Sequence, residues 1–151
     1  MTTPSRYPAL PATPRPGDVR LEILRRRHQA DIIAAARRAH RTVRVVPYVL
    51  AGPGVERRTD LKLIEEHVQR TRCHVTRSSF ADVGQAPAIE QRTGFTEAFL
   101  YAAQGFAHGI VATGRAAITT DSKAYADVLE RLHQRGVFLS YLPGTGGPEP
   151  T

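Results

Sequence analysis

Along residues 108–144 the apolar positions change period twice. A short run at 109–113 (GIVAT) has the length and β-branching of a buried strand. Tyr125, Val128, Leu129 and Leu132 then recur at helical spacing. A second apolar run at 137–142 (VFLSYL) follows Gly136, where a helix should stop. The loop at 114–121 is largely alanine and threonine, and Asp121 with Ser122 fits a helix cap. The same alternation repeats upstream. Residues 43–50 (VRVVPYVL) read as a buried strand in which Pro47 lacks a ladder donor, which points to an edge or a bulge. Residues 60–72 predict a helix capped by Thr59 or Asp60, with Leu61, Ile64 and Val68 inward. Residues 74–80 predict a strand, and residues 93–106 a helix whose Phe95, Phe99, Ala102 and Phe106 face the core. Strands alternating with helices predict an α/β fold: a mostly parallel central sheet with helices on both faces.

Ahead of the first strand, residues 18–41 predict a helix capped by Asp18, with Leu21, Leu24, Ile32 and Ala35 along its apolar face. The organisation expected is a disordered proline-rich tail over 1–16, a basic helix over 17–42, an α/β domain over 43–142 and a flexible Gly/Pro tail over 143–151. No apolar run is long enough to span a bilayer, and the start lacks the apolar stretch of a secretory signal. Cys73 is the single cysteine, so no internal disulfide forms and a cytoplasmic setting is expected.

Charge changes the picture at one end. Residues 1–44 hold ten arginines against Asp18, Glu22 and Asp31, a balance of +7, whereas residues 45–151 hold eleven basic and eleven acidic residues. Arginine on a helix suits phosphate contacts, which are salt-sensitive and independent of sequence. Arg25, Arg26, Arg27, Arg37 and Arg38 are therefore the candidate nucleic-acid contacts, with DNA as the expected partner; a solvated helix face is the plainer explanation. Self-association is left open.

The order and spacing of the pieces over residues 43–142 resemble the N-terminal catalytic domain of serine recombinases, the resolvases and DNA invertases. Tyr48 sits where that family's first strand ends in Tyr-x-Arg-x-Ser. Phe80-Ala81-Asp82 ends the second strand, Arg92-Thr93-Gly94-Phe95 opens the middle helix where the family has Arg-Pro-Gly and a large apolar residue, and Gln134-Arg135-Gly136-Val137 turns into the last strand. The resemblance implies a resolvase-like sheet. It also implies a site where a serine hydroxyl attacks a DNA phosphate beside several arginines, chemistry that needs nucleophile and positive charge together.

The chain departs from the family at those positions. Counting from Tyr48, the arginine position holds Leu50 and the serine position Gly52. Counting back from Gly136-Val137, the aspartate and first arginine of Asp-Arg-x-x-Arg fall on Ala116 and Ala117, and the second arginine on Thr120. A slip of one residue would rescue Arg115 but place Ile118 at the second site. The long pairing helix and helix-turn-helix that family members carry after this domain have no counterpart, so site-specific recognition is not expected. The resemblance thus implies a protein without catalytic residues, acting as a DNA-associated or accessory protein.

Two other function classes compete. One is an active strand-exchange recombinase with a rearranged site built from Ser78, Ser79 or Arg115. The other is a non-catalytic protein-interaction module. Ser122 beside Asp121 reads better as part of a cap. The loop Ala51-Gly52-Pro53-Gly54 lacks the lysine and hydroxyl of a phosphate loop and reads as a turn. His67, Cys73 and His74 lack a fourth ligand at suitable spacing, so neither metal nor cofactor is expected.

Overall fold

A computed structural model describes residues 15–144. The expectations for the proline-rich start and the Gly/Pro end fall on residues 1–14 and 145–151, which lie outside the described residues. Helix α1 (Pro16–Arg38) precedes strand β1 (Val43–Leu50), helix α2 (Val55–Gln69) and the short strands β2 (Cys73–Val75) and β3 (Phe80–Asp82). Helix α3 (Thr93–Tyr101), strand β4 (Gly109–Ala112), helix α4 (Ser122–Gln134) and strand β5 (Phe138–Tyr141) follow. The fold is α/β with a parallel five-stranded sheet ordered β2-β1-β4-β5, β3 also pairing with β1.

Strand β1 is the middle of the sheet, and all of its residues except Arg44 are buried. Of the edge or bulge expected for Pro47, the edge is excluded, because the residue lies in a central strand. In a strand, a residue's N–H and C=O point the same way and alternate with its neighbours'. Arg44 O accepts from His108 N on the β4 side, while Val45 O accepts from Thr76 N on the β2 side. Pro47 thus turns its missing donor towards the side of β2 and β3, and pairing on that side stops at Val45↔Val75 and resumes at Tyr48↔Phe80. The single strand expected over 74–80 is broken in two opposite this proline, leaving Ser78 and Ser79 exposed in the gap.

Each face of the sheet carries one apolar cluster. Val43, Val45, Val49 and Val111 pack with Ile64 and Val68 of α2 on one side. Val46, Tyr48, Leu50 and Ile110 pack with Phe95 and Ala98 of α3 and with Tyr125, Val128, Leu129 and Leu132 of α4 on the other. Helix α4 begins as its sequence predicts, with the Asp121 carboxylate accepting from Ala124 N at 2.8 Å. Two other helices differ from expectation. α2 starts a turn earlier, at Val55 after Gly54 (φ 120°), so Asp60 is buried within it and is no cap. α3 loosens after Tyr101 into a π-type turn holding Gly105 at φ 100°, which leaves Phe106 52 % exposed and outside the core.

Helix α1 is part of this body. Pro16 opens it, so Asp18 lies in its first turn and not at its cap. Its inward residues are Leu21, Arg25, Ile32, Ile33 and Ala36, whereas Leu24 and Ala35 are exposed, one step round from the face expected. Leu21 joins the α3/α4 cluster and Ile32, Ile33 and Ala36 join the α2 cluster, so the helix spans both faces alongside β5. Phe138 N bonds to His108 O across to β4, so by alternation Leu139 O faces the free edge of β5. Arg25 Nη1 donates to that oxygen at 2.7 Å, and Gln29 Nε2 reaches Ser140 Oγ at 3.4 Å. An uncovered edge strand invites pairing with other chains; here α1 covers it.

Candidate functional site: the carboxyl ends of the strands

The chain leaves β1 towards β2 and β3, then crosses back over to β4, so the strand order reverses between β1 and β4. In open α/β sheets that reversal leaves a crevice beyond the carboxyl ends of the strands where ligands bind. Here it is bordered by Ala51 and Gly52 after β1 and by Thr113 and Gly114 after β4.

The motif residues meet beside this crevice. The Asp82 carboxylate, at the end of β3, accepts from Gly94 N and Phe95 N at 2.9 Å each and from the Tyr48 hydroxyl at 2.8 Å. It satisfies the open amino end of α3 with a negative charge, as the helix dipole favours. Position 94 must be glycine, because a Cβ there would lie 2.2 Å from Ala81 O. Arg92 is buried: its Nε donates to Pro87 O at 2.9 Å, and its Nη1 donates to Ala117 O at 2.8 Å and reaches the Tyr48 hydroxyl at 3.5 Å. Burial, with the Asp82 carboxylate adding to it, outweighs the pull of Arg92 and holds the Tyr48 hydroxyl protonated far above the ordinary tyrosine range. These groups tie the ends of β1 and β3 to α3 and to the loop after β4.

The alanine-threonine loop is partly core. Arg115–Ala117 form a single tight turn, and Ala117 and Ile118 are fully buried. Of the remaining family positions, Leu50 is buried while Gly52, Ala116 and Thr120 are half-buried. Arg115 is engaged elsewhere: Nη1 pairs with Asp18 Oδ1 at 3.0 Å, Nε donates to Thr119 O at 3.3 Å, and the guanidinium lies 4.4 Å from the Tyr125 ring centre. Its Nη2 is buried with no hydrogen-bond partner among the described residues. The Ser122 hydroxyl donates to the same Asp18 oxygen at 2.7 Å. No serine hydroxyl among the described residues is hydrogen-bonded to a guanidinium. Arg57 is the guanidinium that touches the β1 loop, and it donates through Nε and Nη2 to Ala51 O at 3.0 and 2.8 Å.

The five candidate DNA-contact residues separate. Arg25 is 6 % exposed, pairs with Glu22, donates to Leu139 O and lies 4.8 Å from the Tyr141 ring centre, so its charge is turned inward. It leaves the set of phosphate contacts. Arg26 is half-buried and shares Glu22 at 3.0 Å, while Arg27, Arg37 and Arg38 are exposed. The role of Asp18 as a clamp for α1 was not legible in the sequence, because its partners Arg115 and Ser122 are about a hundred residues away, whereas Glu22 pairs within the helix with Arg25 and Arg26. No group of three His, Cys, Asp or Glu side chains gathers among the described residues, and no described helix is long and apolar enough to cross a membrane.

The clamp is expected to respond to acid. Asp18 is held below its ordinary value of 3.8, first by the Ser122 hydroxyl and then by Arg115 against the effect of burial. Burial is the largest influence on Glu22 and pushes it up, but Arg25 and Arg26 together bring it below its ordinary 4.5. Carboxylates depressed in the folded state stabilise it above their unfolded pKa, and that stability disappears as pH falls through the folded value. The unfolding temperature should thus fall steeply below about pH 4, after a shallower decline from about pH 7 to pH 5 in which His28 and His108, both held below their ordinary value in the fold, take up protons more readily in the unfolded chain. Asp18→Asn should lower the neutral value and flatten the acid limb. An acid limb unchanged by that substitution would show that Asp18 does not hold α1.

No family model, curated protein or solved structure matches the chain.

Proposed function

We propose that this chain is a serine-recombinase-like protein of resolvase or invertase type that associates with DNA without cutting it, in an accessory role. One observation carries the proposal. Arg115, the arginine of the loop after β4, is neutralised by Asp18, and the neighbouring Ser122 hydroxyl is held by the same carboxylate oxygen, while Arg92 and Arg57 spend their donors on Ala117 O and Ala51 O. Attack on a phosphodiester requires a hydroxyl and preorganised positive charge around one phosphate. The serine position is Gly52, and the arginine positions Ala117 and Thr120 carry no charge. What remains of the motif pattern, Tyr48, Asp82, Arg92 and Gly94, has a structural use at the amino end of α3.

The test is to restore the missing hydroxyl. A Cβ at Gly52 meets nothing within 4 Å, so Gly52→Ser should fold with stability changed by no more than about 0.5 kcal/mol. Its hydroxyl would stand next to Ala51, whose carbonyl already holds the Arg57 guanidinium of α2. Incubation with supercoiled plasmid should give no covalent protein–DNA adduct on a denaturing gel. An adduct formed by this single variant would place a functional arginine cluster at the crevice and refute the proposal.

A further inference from the structure

The arginines of the exposed set are better grouped by their place on the sheet than by their place in the sequence. The chain enters β1 through Arg37, Arg38, Arg41 and Arg44, and enters β2 through Arg70 and Arg72. It enters β4 through His108 and β5 through Arg135. All seven arginines are exposed, and none makes an ion pair among the described residues. No acidic residue occurs in 37–44, 70–79, 106–109 or 131–138. Register brings these segments side by side. Arg44 pairs with His74 across β1 and β2, Arg44 N donates to His108 Nδ1 at 3.1 Å, and His108 O accepts from Phe138 N.

Helix dipoles account for part of this. The carboxyl ends of α1, α2 and α4 all precede strands at this edge, and cations are favoured in a last helical turn. That explains Arg37 and Arg38 in the last turn of α1. It does not explain Arg41, Arg44 or Arg72, which lie beyond the helices where the strands begin. Burial first, and then Arg44 and Arg41, hold the His108 imidazole below its ordinary value, so the charge of both arginines converges on the middle of the row. At the opposite edge Asp18, Asp82 and Asp121 are acidic.

We propose that duplex DNA docks by its phosphate backbone on this amino-terminal edge of the sheet, centred on Arg41, Arg44 and Arg72, at the end opposite the crevice. The proposal rests on the DNA-associated reading above and gives it a surface. Four strands at a spacing of about 4.8 Å set the row some 14 Å wide, enough to meet phosphates on both sides of a groove about 12 Å across. With no base-reading element in the row, the contacts are to phosphate and are independent of sequence.

Filter binding of the full chain to a mixed-sequence duplex of about 25 base pairs, titrated from about 50 to 200 mM salt, tests the surface. Arg41→Ala/Arg44→Ala/Arg72→Ala is compared with Arg20→Ala/Arg27→Ala, two exposed arginines on the outer side of α1, with circular dichroism confirming both variants folded. The first variant should bind at least about tenfold more weakly at low salt and lose about three from the slope of log affinity against log salt, and the second should lose less. A larger loss in the Arg20/Arg27 variant, with the edge variant unaffected, would reject this surface and leave the DNA reading standing. Absence of duplex binding by the unmutated chain at about 50 mM salt, with or without binding to anionic lipid vesicles, would overturn both.

Discussion

Removal of residues 1–41 is expected to unfold the protein or drive it to self-associate, and not to release a free α/β body. Leu21, Ile32 and Ile33 pack against the two apolar clusters, and Ala36 is buried. At the lower end of about 1.5–3 kcal/mol for a large apolar side chain, the three larger residues contribute on the order of 4 kcal/mol. Arg25 adds its bond to the free β5 carbonyl and its contact with Tyr141, whose hydroxyl pairs with that of Tyr125. A domain of this size has a total stability of about 5–15 kcal/mol, so the loss takes a large part of it. It also bares a parallel edge strand, a template for pairing with other chains. Circular dichroism and size-exclusion chromatography of the truncated chain check this. A monomer with an unchanged spectrum and a cooperative thermal transition would show that α1 is an appendage.

Gly94→Ala is expected to cost several kcal/mol, although alanine is the better helix former by about 1 kcal/mol. The added Cβ would sit 2.2 Å from Ala81 O, 2.7 Å from Ala81 C and 2.9 Å from Asp82 Oδ2. Two of the three are backbone of β3 and cannot rotate aside. Relief requires the amino end of α3 to withdraw, which lengthens the bonds from Gly94 N and Phe95 N to Asp82 and loosens the network that also holds the Tyr48 hydroxyl. Overpacking of this kind costs roughly 1–3 kcal/mol, and a weakened buried network adds to it. The unfolding temperature should fall by about 8 °C or more. A variant as stable as the parent would mean that α3 does not press on β3 here.

The parts of the fold that were legible in the sequence are those decided by local periodicity. Tyr125, Val128, Leu129 and Leu132 all lie on the buried face of α4, Asp121 caps it, and Gly136 (φ 68°) ends it. β1 and β4 read correctly as apolar runs because parallel strands are buried on both faces. What failed was decided by distant partners. Arg25 stands within a run of three arginines that reads as solvated, and a carbonyl 114 residues away, with Glu22 and Gln29 on its own helix, makes burying it tolerable. Without that knowledge the inner face of α1 shifts by one residue, to Leu24 and Ala35. Pro47 read as a sign of an edge or a bulge, without a choice between them, because sequence does not tell which neighbour a missing donor faces. At the site, the absence of charge at Leu50, Gly52, Ala117 and Thr120 was legible. The use of Asp82 to hold α3 and of Asp18 to quench Arg115 was not.

The reading of a DNA-associated protein that lacks cleavage chemistry is tested most directly on supercoiled plasmid with the unmutated chain. Protein and plasmid are incubated at low salt, quenched with denaturant and resolved on a denaturing gel. The plasmid should stay supercoiled and all protein should run free of DNA, because retention is by phosphate contacts that denaturant and salt dissolve. Nicked plasmid with protein covalently attached would contradict it.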